Sequence, residues 1–241
     1  MNVAIDMGNT RIKVGLFEKN ELKKIDFFPA GSLGELNGLL TYNSIEKAVI
    51  STVTIDTKPV VDLLKVKTGF ILEYNSQTLL PIKNLYKTPH TLGGDRIPPV
   101  IAAWAQFPDS DVLVIDAGTC IKYNFLNKAG EYLGGAISPG LAMRFKALHT
   151  FTARLPLVEP DQEYDKLIGG DTHESILSGV QTAAVAEVEG IINRYKQQYP
   201  ELKIMLTGGD QAFFEKRLKN AIFADPYLVL KGLNIILNYN A

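Results

Sequence analysis

The sequence predicts an α/β protein built from two similar subdomains, and three observations support this fold class. A strand, an Asp-x-Gly turn and two further strands occur once in each half of the chain. Segments with helical periodicity fill much of the remainder. The length of 241 residues suits one large domain or two small ones with a buried core. An internal repeat of this size indicates two related units with a cleft between them.

The first half opens with three strands in a meander. Residues 6–10 form the first turn, and apolar residues alternate with others over 11–16, which is the period of a strand. A third strand is predicted over 22–28, after a short polar turn. Later in this half, we expect a helix over 94–106, although two prolines stand near its start.

The second half repeats this order of elements. Residues 112–115 form a compact β-branched strand, and residues 116–119 form its turn. Strands over 121–126 and 132–137 follow. We therefore expect the boundary between the two subdomains to lie near 107–110.

Helices complete the second half. Residues 171–174 have the sequence of a capping box, which opens a long helix with apolar residues at three-to-four spacing on one face. A second stripe on this helix consists of small residues: Ser175, Gly179, Ala183, Ala186 and Gly190. Because glycine inside a helix costs roughly 1 kcal/mol relative to alanine, we expect another helix to approach this stripe closely. Asp225 and Pro226 predict the start of a last helix.

Composition disfavours several classes of function. Lys and Arg number 25 against 26 Asp and Glu, so the chain lacks the basic surplus typical of proteins that bind nucleic acid or anionic membranes. The single cysteine excludes an internal disulfide, and the three histidines show no HExxH spacing. No apolar run reaches the roughly 18 residues of a membrane span, and the N-terminus does not resemble a secretory signal. We expect a cytoplasmic protein without nucleic-acid or membrane partners.

The two Asp-x-Gly turns are the strongest candidates for chemistry. Each places a carboxylate, Asp6 or Asp116, at a strand end beside backbone N–H groups, and the glycine allows a phosphate to approach closely. Such a carboxylate can hold Mg²⁺, and Lys13 offers a positive charge for a phosphoryl group. One Asp-x-Gly turn is usually only a hairpin turn, but two copies at equivalent places favour a functional role. Walker A and GxGxxG sequences are both absent, so ATP would be held by other loops.

A third candidate is the segment Gly93–Arg96. Arg96 could grip a carboxylate with two hydrogen bonds, and Asp95 could accept a proton from a substrate hydroxyl. The alternative is a solvated helix N-terminus with an ordinary acidic cap, and the residues alone leave both interpretations open. The glycine-rich segments 134–140 and 207–210 could bind phosphate or nucleotide, or could serve only as turns.

Taken in chain order, these motifs resemble those of the type III pantothenate kinase family. They are Asp6–Thr10 with Lys13, Gly93–Arg96, Asp116–Thr119, Gly134–Gly135 with Pro139–Gly140, and Thr172 and Ser175 with Ser178–Gly179. The resemblance implies duplicated ribonuclease-H-like (actin-like ATPase) subdomains, each a mixed five-stranded sheet flanked by helices. Residues 1–108 would carry a phosphate loop and the substrate motif, and residues 109–241 a second phosphate loop and a dimerisation helix. It also implies ATP-dependent phosphorylation of pantothenate to 4′-phosphopantothenate, the first step of coenzyme A biosynthesis.

The resemblance implies roles for individual residues. Asp95 is the implied catalytic base. The implied ATP-binding residues are Asp6, Met7, Gly8, Asn9, Thr10, Arg11, Ile12, Lys13 and Thr119. The implied pantothenate-binding residues are Tyr86, Gly93, Gly94, Asp95, Arg96 and Thr172. Asp116 would bind a monovalent cation, K⁺ or NH₄⁺, and Asp6 would hold Mg²⁺, directly or through water. A cytoplasmic homodimer is also implied.

The chain departs from the family pattern at two small residues. Gly94 stands where the family more often has alanine, and Cys120 also replaces an alanine. Two other functions compete with this interpretation. One is a different kinase of the same superfamily, acting on a sugar or acetate. The other is an ATP-binding regulatory or filament-forming protein without turnover, which would not need all three carboxylates of Asp6, Asp95 and Asp116.

Overall fold

The computed structural model describes residues 1–8, 11–29, 32–41, 43–52 and 56–241. These residues divide into two compact units. The first unit comprises Met1–Asp109, Ala129–Leu133 and Tyr227–Ala241, and the second comprises Ser110–Lys128 and Gly134–Pro226. The domain ranges expected from the sequence are continuous on either side of residue 108, whereas the chain re-enters the first unit twice.

The strands are β1 (Asn2–Met7), β2 (Arg11–Glu18), β3 (Glu21–Pro29), β4 (Lys47–Thr52), β5 (Phe70–Glu73), β6 (Lys83–Asn84), β7 (Val112–Ala117), β8 (Cys120–Leu126), β9 (Glu131–Pro139), β10 (Lys203–Thr207) and β11 (Phe223–Ala224). The helices are α1 (Leu33–Thr41), α2 (Lys58–Lys65), α3 (Ile97–Gln106), α4 (Leu141–Phe151), α5 (Thr172–Leu177), α6 (Ala183–Gln198), α7 (Gln211–Glu215) and α8 (Leu228–Asn240). A 3₁₀ turn, Pro89–Thr91, precedes α3, and a π-helical turn, Ser178–Thr182, joins α5 to α6.

The first unit is built on a mixed five-stranded sheet with the order β3-β2-β1-β4-β5. Strands β1, β2 and β3 are antiparallel neighbours, which confirms the predicted meander. Strands β4 and β5 continue the sheet in parallel with β1, and parallel pairing requires a crossover connection between strands. Helices α1 and α2 supply these crossovers, because α1 precedes β4 and α2 precedes β5.

The second unit repeats this topology. Its sheet has the order β9-β8-β7-β10-β11, in which β7 takes the place that β1 has in the first unit. Strand β8 is antiparallel to β7, and β10 is parallel to it. The duplicated α/β fold predicted from the sequence is therefore confirmed. A sixth strand was not predicted: β6 pairs in parallel with Glu131 and Tyr132 at the start of β9, where the chain lies in the first unit.

Both faces of the first sheet are covered. Val3, Ile5 and Ile50 lie in one apolar cluster, which also contains Leu36 of α1 and Val60 of α2. On the strands the alternate residues, such as Ala4 and Val49, pack against Val229, Leu230, Leu233 and Leu237 of α8. Because successive side chains of a strand point to opposite faces, helices on both sides leave the central strands fully buried. The C-terminal helix is therefore part of the first core.

Two helix starts differ from prediction. The helix expected over 94–106 begins at Ile97, because residues 93–96 form a hydrogen-bonded turn. The last helix begins at Leu228 and not at Asp225 and Pro226. Asp225 directly follows β11, and its backbone N–H donates to a carbonyl of β10 at 2.9 Å, so it extends the sheet and does not cap the helix.

The long helix of the second unit begins as predicted. The Asp171 carboxylate accepts a hydrogen bond from the N–H of Glu174 at 2.8 Å, which confirms the N-cap. The Glu174 carboxylate in turn accepts from the N–H of Gly170 at 2.8 Å. Leu177, Val180, Ala184 and Val188 are buried, as the apolar stripe predicts. The π-helical turn within this helix was not predicted.

The small-residue stripe of the same helix is exposed. Ser175, Gly179, Ala183, Ala186 and Gly190 are all exposed, and a Cβ at Gly179 or Gly190 would meet no atom within 4 Å. The close approach of another helix therefore stays a prediction, which a second copy of this chain would have to fulfil. By length and composition alone, the span Thr172–Gln198 could cross a membrane, but a core helix passes the same test and 44% of its most apolar window is buried.

Candidate functional site

The predicted site residues fall in both units, and each part is described by itself. In the first unit, Asp6 lies near the carboxyl end of β1, a central strand of the sheet. Across the sheet, Asp6 is opposite Lys13 on β2 and opposite Ser51 on β4. The N–H of Gly8 donates to the carbonyl of Arg11, the first residue of β2, at 3.0 Å. Since ligands of α/β sheets bind at the carboxyl ends of strands, this edge is a candidate site.

The remaining residues of the predicted ATP loop differ in exposure. Met7 and Ile12 are 2% and 1% exposed and belong to the apolar core, so only their backbone atoms could face a ligand. Arg11 is exposed and Lys13 is half-buried. Asn9 and Thr10, which the sequence also indicates, lie outside the described residues.

The Gly93–Arg96 segment forms a turn against the same edge. The N–H of Arg96 donates to the carbonyl of Gly93 at 3.0 Å. Gly94 lies beside β4, where a Cβ would make ordinary van der Waals contacts, 3.8 Å from the Ser51 hydroxyl and 3.8 Å from the Thr52 carbonyl. Because Ser51 is the register partner of Asp6, the structure brings the Asp95 turn and Asp6 to one end of the first sheet.

Sequence reasoning missed Ser51. Ser51 is 1% exposed, and its hydroxyl has no hydrogen-bond partner among the described residues. Buried hydroxyls are usually paired, so an unpaired one between Asp6 and Gly94 suits a site that receives a polar ligand. The only sequence signal was a buried strand that ends in Ser-Thr.

Arg96 lies beside an aromatic cluster. Arg96 is 4% exposed, and its guanidinium lies 5.6 Å from the centre of the Tyr86 ring. Tyr86 in turn contacts Tyr132, with 6.3 Å between ring centres. Burial, followed by the charges of Tyr132 and Asp95, raises the pKa of Tyr74 well above its ordinary value. The predicted substrate residues Tyr86 and Arg96 therefore lie together, with Tyr74 and Tyr132 as additions that the sequence did not indicate.

In the second unit, the Asp116 turn repeats the geometry of Asp6. Asp116 is opposite Lys122 on β8, as Asp6 is opposite Lys13 on β2. The Lys122 ammonium donates to the Asp116 carboxylate at 2.7 Å. The N–H of Gly118 donates to the carbonyl of Cys120 at 3.1 Å, and Thr119 is exposed at the tip of the turn.

Both glycine-rich segments of the second half meet this turn. The N–H of Gly140 donates to the Thr119 carbonyl at 3.0 Å, and a Cβ on Gly140 would lie 2.1 Å from the Gly118 oxygen. Gly208 has a φ of +104°, and a Cβ there would lie 2.2 Å from the Ala117 oxygen. The glycines therefore permit three backbone segments to approach one another at the turn, an approach that no other residue type would allow.

Asp210 is a carboxylate that sequence reasoning placed only in a weak motif. Its N–H donates to the Ala117 carbonyl at 2.8 Å, which fixes it beside the Asp116 turn. Burial raises the pKa of Asp210, although a hydrogen bond from the N–H of Leu141 at the start of α4 opposes this effect. Asp210 thus ties the end of β10 to both the turn and α4.

A charged network holds the strand end that precedes Gly140. Arg144 donates to the Glu187 carboxylate at 2.5 Å and to the Ser138 hydroxyl at 2.8 Å. Glu187 also accepts from Ser138 at 2.5 Å and from the Tyr123 hydroxyl at 3.2 Å. Burial works to raise the pKa of Glu187, but the hydrogen bonds from Ser138 and Arg144 outweigh it and hold the pKa below its ordinary value. This network fixes the backbone that reaches Gly140.

Thr172, the remaining predicted substrate contact, lies at the first turn of α5 and is exposed. It lines a cavity of about 630 Å³ in the second unit, together with Gly169, Gly170, Ser175 and Gly179. Part of the exposed small-residue stripe is therefore a wall of this cavity.

Among the described residues, His, Cys, Asp and Glu form no cluster of three or more that could hold a metal ion.

Comparison with known sequences agrees with the resemblance that the motifs show. The profile of the type III pantothenate kinase family matches residues 2–194. A type III pantothenate kinase of Bacteroides fragilis is 47% identical over 240 residues, which cover 100% of this chain and 98% of the relative. Those of Christiangramia forsetii and Porphyromonas gingivalis are 45% and 36% identical, and each alignment covers at least 98% of both chains.

Solved structures agree on the fold. A Campylobacter jejuni protein described as a Baf family transcriptional activator superposes with a TM-score of 0.59 at 21% identity, covering 99% of this chain and 98% of that one. A Streptomyces griseus ROK family glucokinase, solved with glucose and AMPPNP, gives a TM-score of 0.53 at 11% identity, with 99% of both chains covered. At these identities the likeness concerns the fold alone, and it confirms the actin-like architecture.

Proposed function

The chain belongs to the type III pantothenate kinase family, and we propose that it uses ATP to phosphorylate pantothenate to 4′-phosphopantothenate, the first step of coenzyme A biosynthesis. The observation that carries this proposal is the position of the Gly93–Arg96 turn. It lies beside Ser51 at the same sheet end as Asp6. The turn that carries Asp95, a carboxylate suited to the hydroxyl of the acceptor substrate, and Asp6, a carboxylate suited to the phosphate donor, thus lie at the same end of the first sheet.

Asp6 and its turn form the donor side of the proposed site. A carboxylate at a strand end, followed by a turn with Gly8, suits Mg²⁺, which takes one or two carboxylates and completes its shell with water and phosphate oxygens. Asp6 would hold this ion, which when bound neutralises charge on the transferred phosphoryl group. Lys13, opposite Asp6 in the sheet, provides a further positive charge toward the same group.

Asp95 and Arg96 form the acceptor side. Pantothenate carries a carboxylate and a primary hydroxyl, so its site needs a cation and a hydrogen-bond acceptor. The buried Arg96 guanidinium, oriented by Tyr86, supplies the cation that binds the carboxylate. Asp95 accepts the hydrogen bond of the hydroxyl and orients its oxygen toward the γ-phosphorus. It takes the proton as the new P–O bond forms and the bond from the γ-phosphorus to the bridging oxygen breaks, which releases ADP. Phosphoryl transfer passes through a loose transition state, so orientation carries much of the rate.

The turn at Asp116 gives the second unit a role in holding ATP. Thr119 is exposed at its tip, and the backbone of this turn is fixed by Gly140 and Asp210. A rigid, exposed turn with a hydroxyl suits a contact to a nucleotide phosphate. The K⁺ or NH₄⁺ that the family resemblance implies at Asp116 fits less well, since Lys122 already donates to this carboxylate.

The activity is tested by coupled measurement of ADP release from the purified protein with Mg-ATP and a panel of acceptors. We expect release with pantothenate and none above background with glucose or acetate. Turnover with a sugar or acetate and none with pantothenate would assign the chain to another kinase specificity. ATP binding without turnover on any acceptor, together with ATP-dependent pelleting, would favour the filament-forming alternative.

The exposed stripe supports a homodimer. Five small residues lie on one exposed face of a long helix, and Gly179 and Gly190 have room around them for the backbone of a second helix. In a two-fold dimer the same helix meets its own copy, so one stripe supplies both surfaces. Thr172 at the start of this helix would then lie close to the interface, where it would contact substrate as the resemblance implies.

The dimer is tested with Gly179→Leu. We expect sedimentation to show monomers, because leucine prevents the close approach of two helices. Gly34→Leu is the matched control, since Gly34 is also an exposed helical glycine whose Cβ would meet nothing within 4 Å. A dimer that survives Gly179→Leu would place the interface elsewhere.

We also propose that the protein acts in the cytoplasm and has no nucleic-acid or membrane partners. Its near-neutral net charge of -1 supports the absence of such partners.

A further inference from the structure

The ion pair between Lys122 and Asp116 is less exposed to solvent than the surface ion pairs of this chain. The Lys122 ammonium lies 2.7 Å from a carboxylate oxygen of Asp116, and the side chains are only 16% and 12% exposed. By comparison, the pair of Lys65 with Asp62 has side chains that are 64% and 53% exposed. Surface pairs of that kind contribute little, whereas a buried carboxylate requires a partner for its charge.

The position of Lys122 follows from the sheet. Asp116 and Lys122 are register partners on the antiparallel strands β7 and β8. Directly opposite residues of such a pair have their Cβ atoms about 4.5–5.5 Å apart, so a lysine side chain reaches the carboxylate without leaving the sheet surface. The first unit has the same arrangement in Asp6 and Lys13. A lysine opposite the strand-end aspartate is therefore a feature of both halves of the duplication.

An ammonium at this distance supplies what a monovalent cation would supply. K⁺ and NH₄⁺ each bring one positive charge to the Asp116 carboxylate, and the lysine ammonium brings the same charge on a tether. A second cation on this carboxylate would lie within a few ångströms of the ammonium, in a partly buried site where like charges repel strongly. The two cations therefore compete for one carboxylate.

We propose that Lys122 is a built-in cation at Asp116, and that this chain consequently works without added K⁺ or NH₄⁺. The inference rests on the proposed function only through the role of Asp116 in the site. It predicts that the Lys122 side chain determines whether the stability and turnover of the protein respond to K⁺ or NH₄⁺. Removal of the ammonium at Lys122 should create a site for a free monovalent cation on the carboxylate that remains.

The test compares wild type with Lys122→Met, which keeps the length of the side chain and removes its charge. The control is Lys128→Met, because Lys128 is an exposed lysine of the same unit. Each protein is prepared free of K⁺ and NH₄⁺. Its Tm is then measured without nucleotide in tetramethylammonium chloride and in KCl or NH₄Cl at equal ionic strength. ADP release with Mg-ATP and pantothenate is measured in the same salts.

We expect wild type and Lys128→Met to have the same Tm and the same turnover in every salt. Lys122→Met should have a lower Tm in tetramethylammonium chloride, and K⁺ or NH₄⁺ should raise its Tm in a saturable way, because a ligand that binds only the folded state stabilises it. Its turnover should become cation-dependent. If this variant does not fold, Lys122→Gln replaces it, and the wild-type salt response still decides the question.

Two results would overturn the proposal. One is saturable activation or stabilisation of wild type by K⁺ or NH₄⁺ that tetramethylammonium does not give. The other is a folded Lys122→Met protein that is indifferent to K⁺. Failure of the proposed function has a separate signature: no protein releases ADP with pantothenate in any salt, while the Tm comparison continues to report on the cation at Asp116.

Discussion

Substitution of Gly208 tests whether close backbone approach shapes the Asp116 turn of the second unit. It lies directly after β10, has a φ of +104°, and a Cβ there would lie 2.2 Å from the oxygen, 2.5 Å from the carbon and 2.7 Å from the nitrogen of Ala117. All three atoms belong to backbone, so no side chain can rotate away. Gly208→Ala must therefore separate β10 from the turn that holds Thr119.

The size of the effect follows from two costs. A non-glycine residue held in an unfavourable backbone region costs about 1–3 kcal/mol, and forced overpacking typically costs about 1–3 kcal/mol more. Their sum of about 2–6 kcal/mol lowers Tm by roughly 4–24 °C, since 1 kcal/mol shifts Tm by about 2–4 °C in a chain of this size. Relief of the clash also moves the turn by about 1 Å, and a displacement of that size costs on the order of 100-fold in rate.

Gly209→Ala is the matched control. Gly209 is the next residue in the chain, is exposed, and a Cβ there would meet no atom within 4 Å. Tm is measured by calorimetry, and kcat/KM for ATP is measured well below both transitions. We expect Gly209→Ala to match wild type and Gly208→Ala to lose both stability and kcat/KM. Equal behaviour of the two variants would refute the argument that close backbone approach shapes this turn.

Three further substitutions test the site and its support. Asp95→Asn should lower kcat by about 10²–10⁴-fold with an unchanged Tm, because general base help is worth about that much, while the exposed Asp62→Asn should leave kcat unchanged. Arg96→Ala should raise KM for pantothenate, and an unchanged KM in a folded variant would reject Arg96 as the carboxylate ligand. Glu187→Gln should cost about 1–3 kcal/mol at pH 7, the usual penalty for weakening a partly buried charged network. Since the pKa of Glu187 is lowered in the fold, its stabilisation is present above the ordinary Glu pKa of about 4.3 and is lost as pH falls through the lower folded value, so urea midpoints of variant and wild type should converge in acid.

Local pattern was sufficient to predict most of the framework. The meander of β1, β2 and β3 follows from period-two alternation around short turns, and the N-cap at Asp171 follows from the capping-box sequence of four consecutive residues. The covering of the first sheet by α8 could not be predicted in this way. It depends on the packing of residues far apart in the chain, such as Val49 and Leu233, into one apolar cluster, and nothing local to α8 indicates which sheet it covers.

The same distinction applies to the site. Asp6, Asp95 and Asp116 could be found because glycine-containing turns mark them in the sequence. Ser51 and Tyr74 could not, because each is an ordinary residue of a strand or its end that becomes relevant only where it meets Gly94. Asp6 and Asp95 are far apart in the chain, and parallel pairing of β1 with β4 brings their segments to one edge.

Duplication explains why one local motif can serve two chemical tasks. Asp6 and Asp116 occupy equivalent strand ends, and each is opposite a lysine on the next antiparallel strand. In the second half the lysine donates to the aspartate, which neutralises the carboxylate and leaves Thr119 and the turn backbone to meet a ligand. In the first half, the proposed function instead requires the aspartate to hold a divalent ion and the lysine to face phosphate. Under the two proposals, the same register pair would be used differently in the two halves: as a metal ligand and a phosphate-facing lysine in the first, and as a carboxylate with a tethered cation in the second.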